Sequence, residues 1–120
     1  MDNVSTHVLD TSTGQPAAGV RLVVGICTND LCLSDYEDEL SFSPPLCEAL
    51  TNSDGRASLV FDIIPGVYKV SFFVSPYFES TGTKTFYPKI DIIFRISDVT
   101  KHYHVPLLLS PYGYSTYRGS

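Results

Sequence analysis

Apolar and polar residues alternate in short runs along this chain, and a period of two predicts strands rather than helices. Val20, Leu22, Val24 and Ile26 share one face of a strand, and Ala57, Leu59, Phe61 and Ile63 share one face of another. Beyond Pro65-Gly66 the pattern continues through Tyr68, Val70, Phe72 and Val74. It returns in Ile90, Ile92, Phe94 and Ile96 and in Tyr103, Val105, Leu107 and Leu109, with Tyr112 to Arg118 as a last strand. Thr13-Gly14-Gln15-Pro16, Ser53-Asp54-Gly55 and Pro65-Gly66 supply the turn chemistry. Pro76 to Thr81 has room for a helix of one or two turns. Seven to eight strands at this spacing predict an all-β, two-sheet sandwich with one short helix.

The alternation fails between Asn29 and Ala49, where Asp30, Asp35, Glu37, Asp38 and Glu39 precede Ser43-Pro44-Pro45. That segment reads as an exposed acidic loop, since its spacing lacks the glycine and closing glutamate of an EF-hand calcium site. With 120 residues, a single domain over 1–120 is expected. A formal charge of -5 with only eight Lys and Arg disfavours nucleic acid and anionic membrane as partners. No leader and no apolar run of membrane-spanning length is visible, so a cytoplasmic protein is expected. Cys27, Cys32 and Cys47 form no Cys-x-x-Cys pair and read as thiols of a reducing compartment. A Cys32–Cys47 bridge is the alternative in an oxidising one.

Three histidines stand near strand signals. The core face of the 103–109 strand is odd-numbered, so His102 and His104 fall together on the opposite face, while His7 lies in Val4-Ser5-Thr6-His7-Val8. Imidazoles on one face suit either proton transfer or zinc ligation by His7, His102 and His104. Arg56, just after Asp54-Gly55, is either a solvated charge or a fixed fork for an oxygen-rich anion. The aromatic tail ending Tyr117-Arg118-Gly119-Ser120 needs somewhere to pack.

At these residues the chain resembles the transthyretin-related 5-hydroxyisourate hydrolases. The resemblance rests on Thr6 to Thr11 with Gly14 to Val20, on Thr51 to Arg56, and on His102 to Ser120, with Tyr77-Phe78 and Phe86-Tyr87-Pro88 in support. Its most discriminating element is Tyr117 to Ser120, and the segment Cys27 to Leu50 lies outside it. The resemblance implies a transthyretin-like sandwich that assembles as a homotetramer around a channel and hydrolyses 5-hydroxyisourate without a cofactor or metal. His7, Arg56 and His104 would be catalytic, with either histidine as general base. His7 and Arg56 would also bind substrate, together with Tyr117, Arg118 and Ser120 near the C-terminus. A transthyretin-like carrier of small aromatics and a histidine metallohydrolase remain the alternatives.

Overall fold

The computed structural model describes residues 4–28 and 40–119. In chain order these form β1 (Val4–Asp10), β2 (Gln15–Pro16), β3 (Arg21–Ile26), β4 (Cys47–Leu50), β5 (Arg56–Leu59) and β6 (Gly66–Phe73). Helix α1 (Val74–Ser80) follows, then β7 (Ile90–Ile96), β8 (Tyr103–His104), β9 (Leu107–Ser110) and β10 (Gly113–Thr116). One sheet runs β10-β9-β1-β2, with β5 and β8 also paired to β1, and the other runs β4-β3-β6-β7. Between them lies one apolar layer. Val4, Val8, Leu59, Leu107 and Leu109 face Leu22, Val24, Val70, Phe72, Ile90 and Ile96 across it, so the two-sheet sandwich read from alternation is the fold.

Ten strands appear among the described residues, where alternation predicts seven or eight. Part of the difference is Pro106, which has no N–H to donate and divides the 103–109 run into β8 and β9. Another part is β4, which pairs with β3 inside the segment read as loop. Cys47 and Ala49 pack on the core there, but such small side chains give a weak apolar signal. The acidic residues Asp30 to Glu39, on which the calcium reading turns, lie outside the described residues. Conversely, β5 stops at Leu59, and Phe61 and Ile63 pack on the core from a connector. There the Tyr68 hydroxyl takes over the pairing of a strand, accepting the Ile64 N–H at 3.1 Å and donating to its carbonyl at 2.6 Å. The last strand likewise closes at Thr116 rather than Arg118.

Helix α1 begins at Val74, two residues before the expected start, because Val74 and Phe78 are four apart and enter the core together. Its tether is Asp10, a buried carboxylate at the end of β1. That carboxylate accepts the Tyr77 hydroxyl at 2.8 Å and the Ser12 N–H at 3.0 Å. Burial first, and then the Asp10 carboxylate, push the Tyr77 phenol up to about 12.

The cysteines differ from both sequence readings. Cys47 is a free thiol, which excludes a Cys32–Cys47 bridge, and Cys27 is disulfide-bonded, which removes the ground for expecting three thiols in a reducing compartment. Among the described residues no helix is long and apolar enough to cross a membrane.

The turn before β5 fixes where Arg56 begins. Asn52 Oδ1 accepts the N–H groups of Asp54 and Arg56 at 2.9 and 3.0 Å, and Gly55 adopts φ 74°. A Cβ on Gly55 would collide with the Val8 carbonyl, whereas one on Gly14, at φ 72°, would meet nothing within 4 Å. Gly14→Ala should therefore cost about 1 kcal/mol, from left-handed strain alone. Gly55→Ala, which adds a backbone collision, should cost about 3 kcal/mol. Urea unfolding of both variants checks the difference.

Candidate active site

Alternation along β1 sends Val4, Thr6, Val8 and Asp10 into the core and leaves Ser5, His7 and Leu9 half-buried on the outer face. Pairing then decides their neighbours. His7 is the antiparallel partner of Arg56, Ser5 is the antiparallel partner of Ser58, and Ser5 is also the parallel partner of His104. Directly opposed residues project to the same side of a sheet, at Cβ separations of about 4.5–5.5 Å in antiparallel pairs. The register thus gathers His7, Arg56 and His104, together with Ser5, on one face.

Both histidines of His102-Tyr103-His104 lie on that face, as their even numbering predicts. The Ser5 hydroxyl holds them both, at 2.8 Å from His102 Nε2 and 2.8 Å from His104 Nδ1. His102 is exposed and His104 half-buried, while Tyr103 between them is in the core. The backbone around His104 is pinned on two sides. Val105 N–H donates to Ser5 O at 2.9 Å, and Gly119 N–H donates to His104 O at 2.9 Å.

Partial burial holds the His104 imidazole below its ordinary pKa, and the nearby Arg56 guanidinium, His102 and His7 push the same way. The result is a ring that stays neutral near pH 7, a hydrogen-bond acceptor beside a permanent cation. Such a pair can take a proton from water while the guanidinium faces developing negative charge. A ligand set for a metal does not form: among the described residues no three His, Cys, Asp or Glu side chains converge to hold one.

The C-terminal residues are placed differently from the His7–Arg56 pair. Tyr117 is 58% exposed, and the Arg118 guanidinium stacks 4.7 Å above the Tyr103 ring. Both line a cavity of about 300 Å³ with Ile93, Phe94 and His104, and neither His7 nor Arg56 reaches it. Within the subunit His104 is the link between that cavity and the polar face, and Ser120 lies outside the described residues.

Two residues at this site escape sequence reasoning. Ser5 could have been found by stepping back two positions from His7 along the same face of β1. Gly119 matters through what it lacks. It opposes His104 across an isolated bridge, and a Cβ there would stand 3.1 Å from His104 Cγ and closer still to Cδ2.

Residues 4–119 match the model of the HIUase/Transthyretin family, a span that runs through the Cys27 to Leu50 segment. A probable 5-hydroxyisourate hydrolase of Caenorhabditis elegans is 41% identical over 121 residues, covering 98% of this chain and 82% of the relative. Among solved structures, the 5-hydroxyisourate hydrolase of Klebsiella pneumoniae superposes with a TM-score of 0.77 at 32% identity, with all of both chains covered. Transthyretin from Sparus aurata superposes with a TM-score of 0.84 at 25% identity, covering 99% of this chain and 97% of that one. The backbone is at least as close to a transthyretin as to a hydrolase, so the fold alone does not separate the two.

Gly119→Ala tests how tightly the C-terminal segment frames the site. The added methyl should displace the His104 ring and move its imidazole NMR resonances, while unfolding free energy changes by about 1 kcal/mol or less, as the segment lies outside the core. Unmoved resonances would mean that the segment's backbone yields instead.

Proposed function

The chain belongs to the HIUase/Transthyretin family, and on that premise we propose that it is a cofactor-free 5-hydroxyisourate hydrolase of urate degradation. It opens the six-membered ring of its substrate to give 2-oxo-4-hydroxy-4-carboxy-5-ureidoimidazoline. The observation that carries this reading is a neutral imidazole and a guanidinium on one face, joined by a second imidazole, His7. A carrier of apolar aromatics has no use for such a face. Hydrolysis of a cyclic amide can use all three, as a base, a group that orients water and a holder of developing negative charge.

In this mechanism His7 orients a water molecule and His104 Nε2 removes its proton as the oxygen attacks the ring carbonyl. Arg56 holds the anionic substrate through a paired hydrogen bond and offsets the charge that grows on the carbonyl oxygen. The C–N bond then breaks, the nitrogen takes up the proton that water gave, and a ureido group and a carboxylic acid result, the acid releasing its proton to solvent. Partial burial and the neighbouring cation keep the His104 ring neutral and able to accept a proton.

The same proposal extends to a homotetramer in which two subunits join edge to edge and two such dimers meet face to face. Leu9 and Leu108 are half-buried and paired across β1 and β9, outside the core, so a facing sheet would bury them. Tyr117, Arg118 and Ser120 of an adjoining subunit would then complete the substrate pocket. The exposure of Tyr117 is consistent with that role.

The test is decay of freshly generated 5-hydroxyisourate with and without the protein. His104→Ala should lower turnover by roughly 10²- to 10⁴-fold, the usual range for losing a general base. Wild-type turnover in that variant would sink the assignment. Arg56→Lys keeps the charge and loses the fork, and should cost roughly tenfold or more.

The pH profile carries its own sign. His104 works in its neutral form, and its folded pKa lies below the ordinary 6.5. Rate should therefore rise with pH through an acid limb centred below 6.5 and be level at neutrality. A limb centred above 6.5 would point to a different base.

A further inference from the structure

We propose that Ser5 relays protons between His104 and His102, so that one imidazole serves first as base toward water and then as acid toward the departing nitrogen. This rests on the hydrolase reading and adds two residues to it.

A serine hydroxyl has one proton and can donate to only one partner at a time. Ser5 Oγ nevertheless stands 2.8 Å from His102 Nε2 and 2.8 Å from His104 Nδ1. If it donates to one ring, it accepts an N–H from the other. Two arrangements follow: two protons sit at different positions, and the second holds one proton more, on His104 Nε2. In the first, His104 Nδ1–H donates to Oγ, Oγ–H donates to His102 Nε2, and His104 Nε2 is bare. In the second, His102 Nε2–H donates to Oγ, Oγ–H donates to His104 Nδ1, and His104 Nε2 carries a proton. The first is a base at the substrate side and the second is an acid.

The reaction converts one into the other. When His104 Nε2 takes the proton of water, its Nδ1 proton passes to Oγ, and the Oγ proton passes to His102 Nε2. The positive charge now rests on His102, and His104 is neutral with a proton on Nε2. As the C–N bond breaks, that proton goes to the nitrogen. His102 returns its proton through Oγ to His104 Nδ1, and the starting arrangement is restored with no proton gained or lost.

The setting favours moving the charge outward. His104 is half-buried and His102 exposed, so an imidazolium is better hydrated at His102. Around His104, Arg56 comes from β5, His7 from β1 and His102 from the turn before β8, while the C-terminal segment presents Gly119 and turns Arg118 onto Tyr103. No acidic group is among them to hold a positive charge in place. Burial first, and then Arg56, His102 and His7, lower the His104 pKa, in keeping with a proton that does not stay.

The test has two arms. NMR of ¹⁵N-histidine-labelled protein, without substrate, should show His102 and His104 titrating as a coupled pair in the wild type. Their coupling should weaken in Ser5→Ala, where only the charge interaction remains, and recover in Ser5→Thr, which keeps the hydroxyl. In turnover, Ser5→Ala should lower kcat roughly 10- to 100-fold, the worth of a hydrogen bond to a charged group, with KM nearly unchanged. Ser5→Thr should recover most of that loss. His102→Asn should match Ser5→Ala, and the double variant should be no slower than either alone, because the residues act as one chain. Multiplying losses in the double variant, or independent titration in an active wild type, would overturn the relay alone. A wild type inactive on 5-hydroxyisourate would overturn the hydrolase reading itself.

Discussion

Strand β1 is hydrogen-bonded along both edges, and the rest of the site depends on that. On one edge Val8 exchanges bonds with the start of β5 and the end of β2, donating to Gly55 O at 2.7 Å and accepting from Ala17 N–H at 2.9 Å. On the other, β8 and β9 run parallel to it. A strand fixed on both edges has no register to choose, and period two then decides which side chains face out. A slip of one residue would drive His7 into an apolar layer and bring Val8 to the surface. The core sets the chemistry by excluding that slip, since Val4 and Val8 are fully buried.

The polar part of the site is held by backbone more than by charge. Thr6 Oγ1 donates to Val105 O at 2.6 Å, and the Val105 N–H returns to Ser5 O, so β8 is tied to β1 just beyond His104. Buried, fully paired groups of this kind specify one geometry, because any alternative leaves a polar atom without a partner. Among the described residues no buried side-chain polar atom lacks one.

How much of this was legible in sequence depends on the length scale of each signal. Alternation over six or seven residues is a local property, and it gave the sandwich, the core faces and the common side of His102 and His104. Pro106 cut a strand in two because its missing N–H acts at a single position inside an otherwise regular run. Cys47 to Ala49 looked like loop because the apolar positions there are a cysteine and an alanine. The roles of Ser5 and Gly119 are not local. A small hydroxyl in a strand is commonplace until two imidazoles are brought to it from about a hundred residues away. A glycine near the end of the chain is equally plain until the ring of His104 occupies the space where its side chain would be. The Tyr117–Ser120 motif was recognisable as a pattern, but pattern alone did not say that Tyr117 and Arg118 would line a cavity which, among the described residues, meets the polar face at His104.

The parallel pairing of the first strand with strands from the far end of the sequence also governs the order in which the molecule can come into being. Contacts such as Thr6 to Val105 and Thr11 to Leu109 span 99 and 98 residues. On a ribosome, β1 can find β2 and β5 early, but its other edge stays bare until about a hundred further residues have been made. Contacts this distant close slowly, and an unpaired edge is open to association with other nascent chains in the interval. The face that gathers His7, Arg56 and His104 is therefore completed late, and a chain released short of β8 would carry the His7–Arg56 pair without His104 beside it.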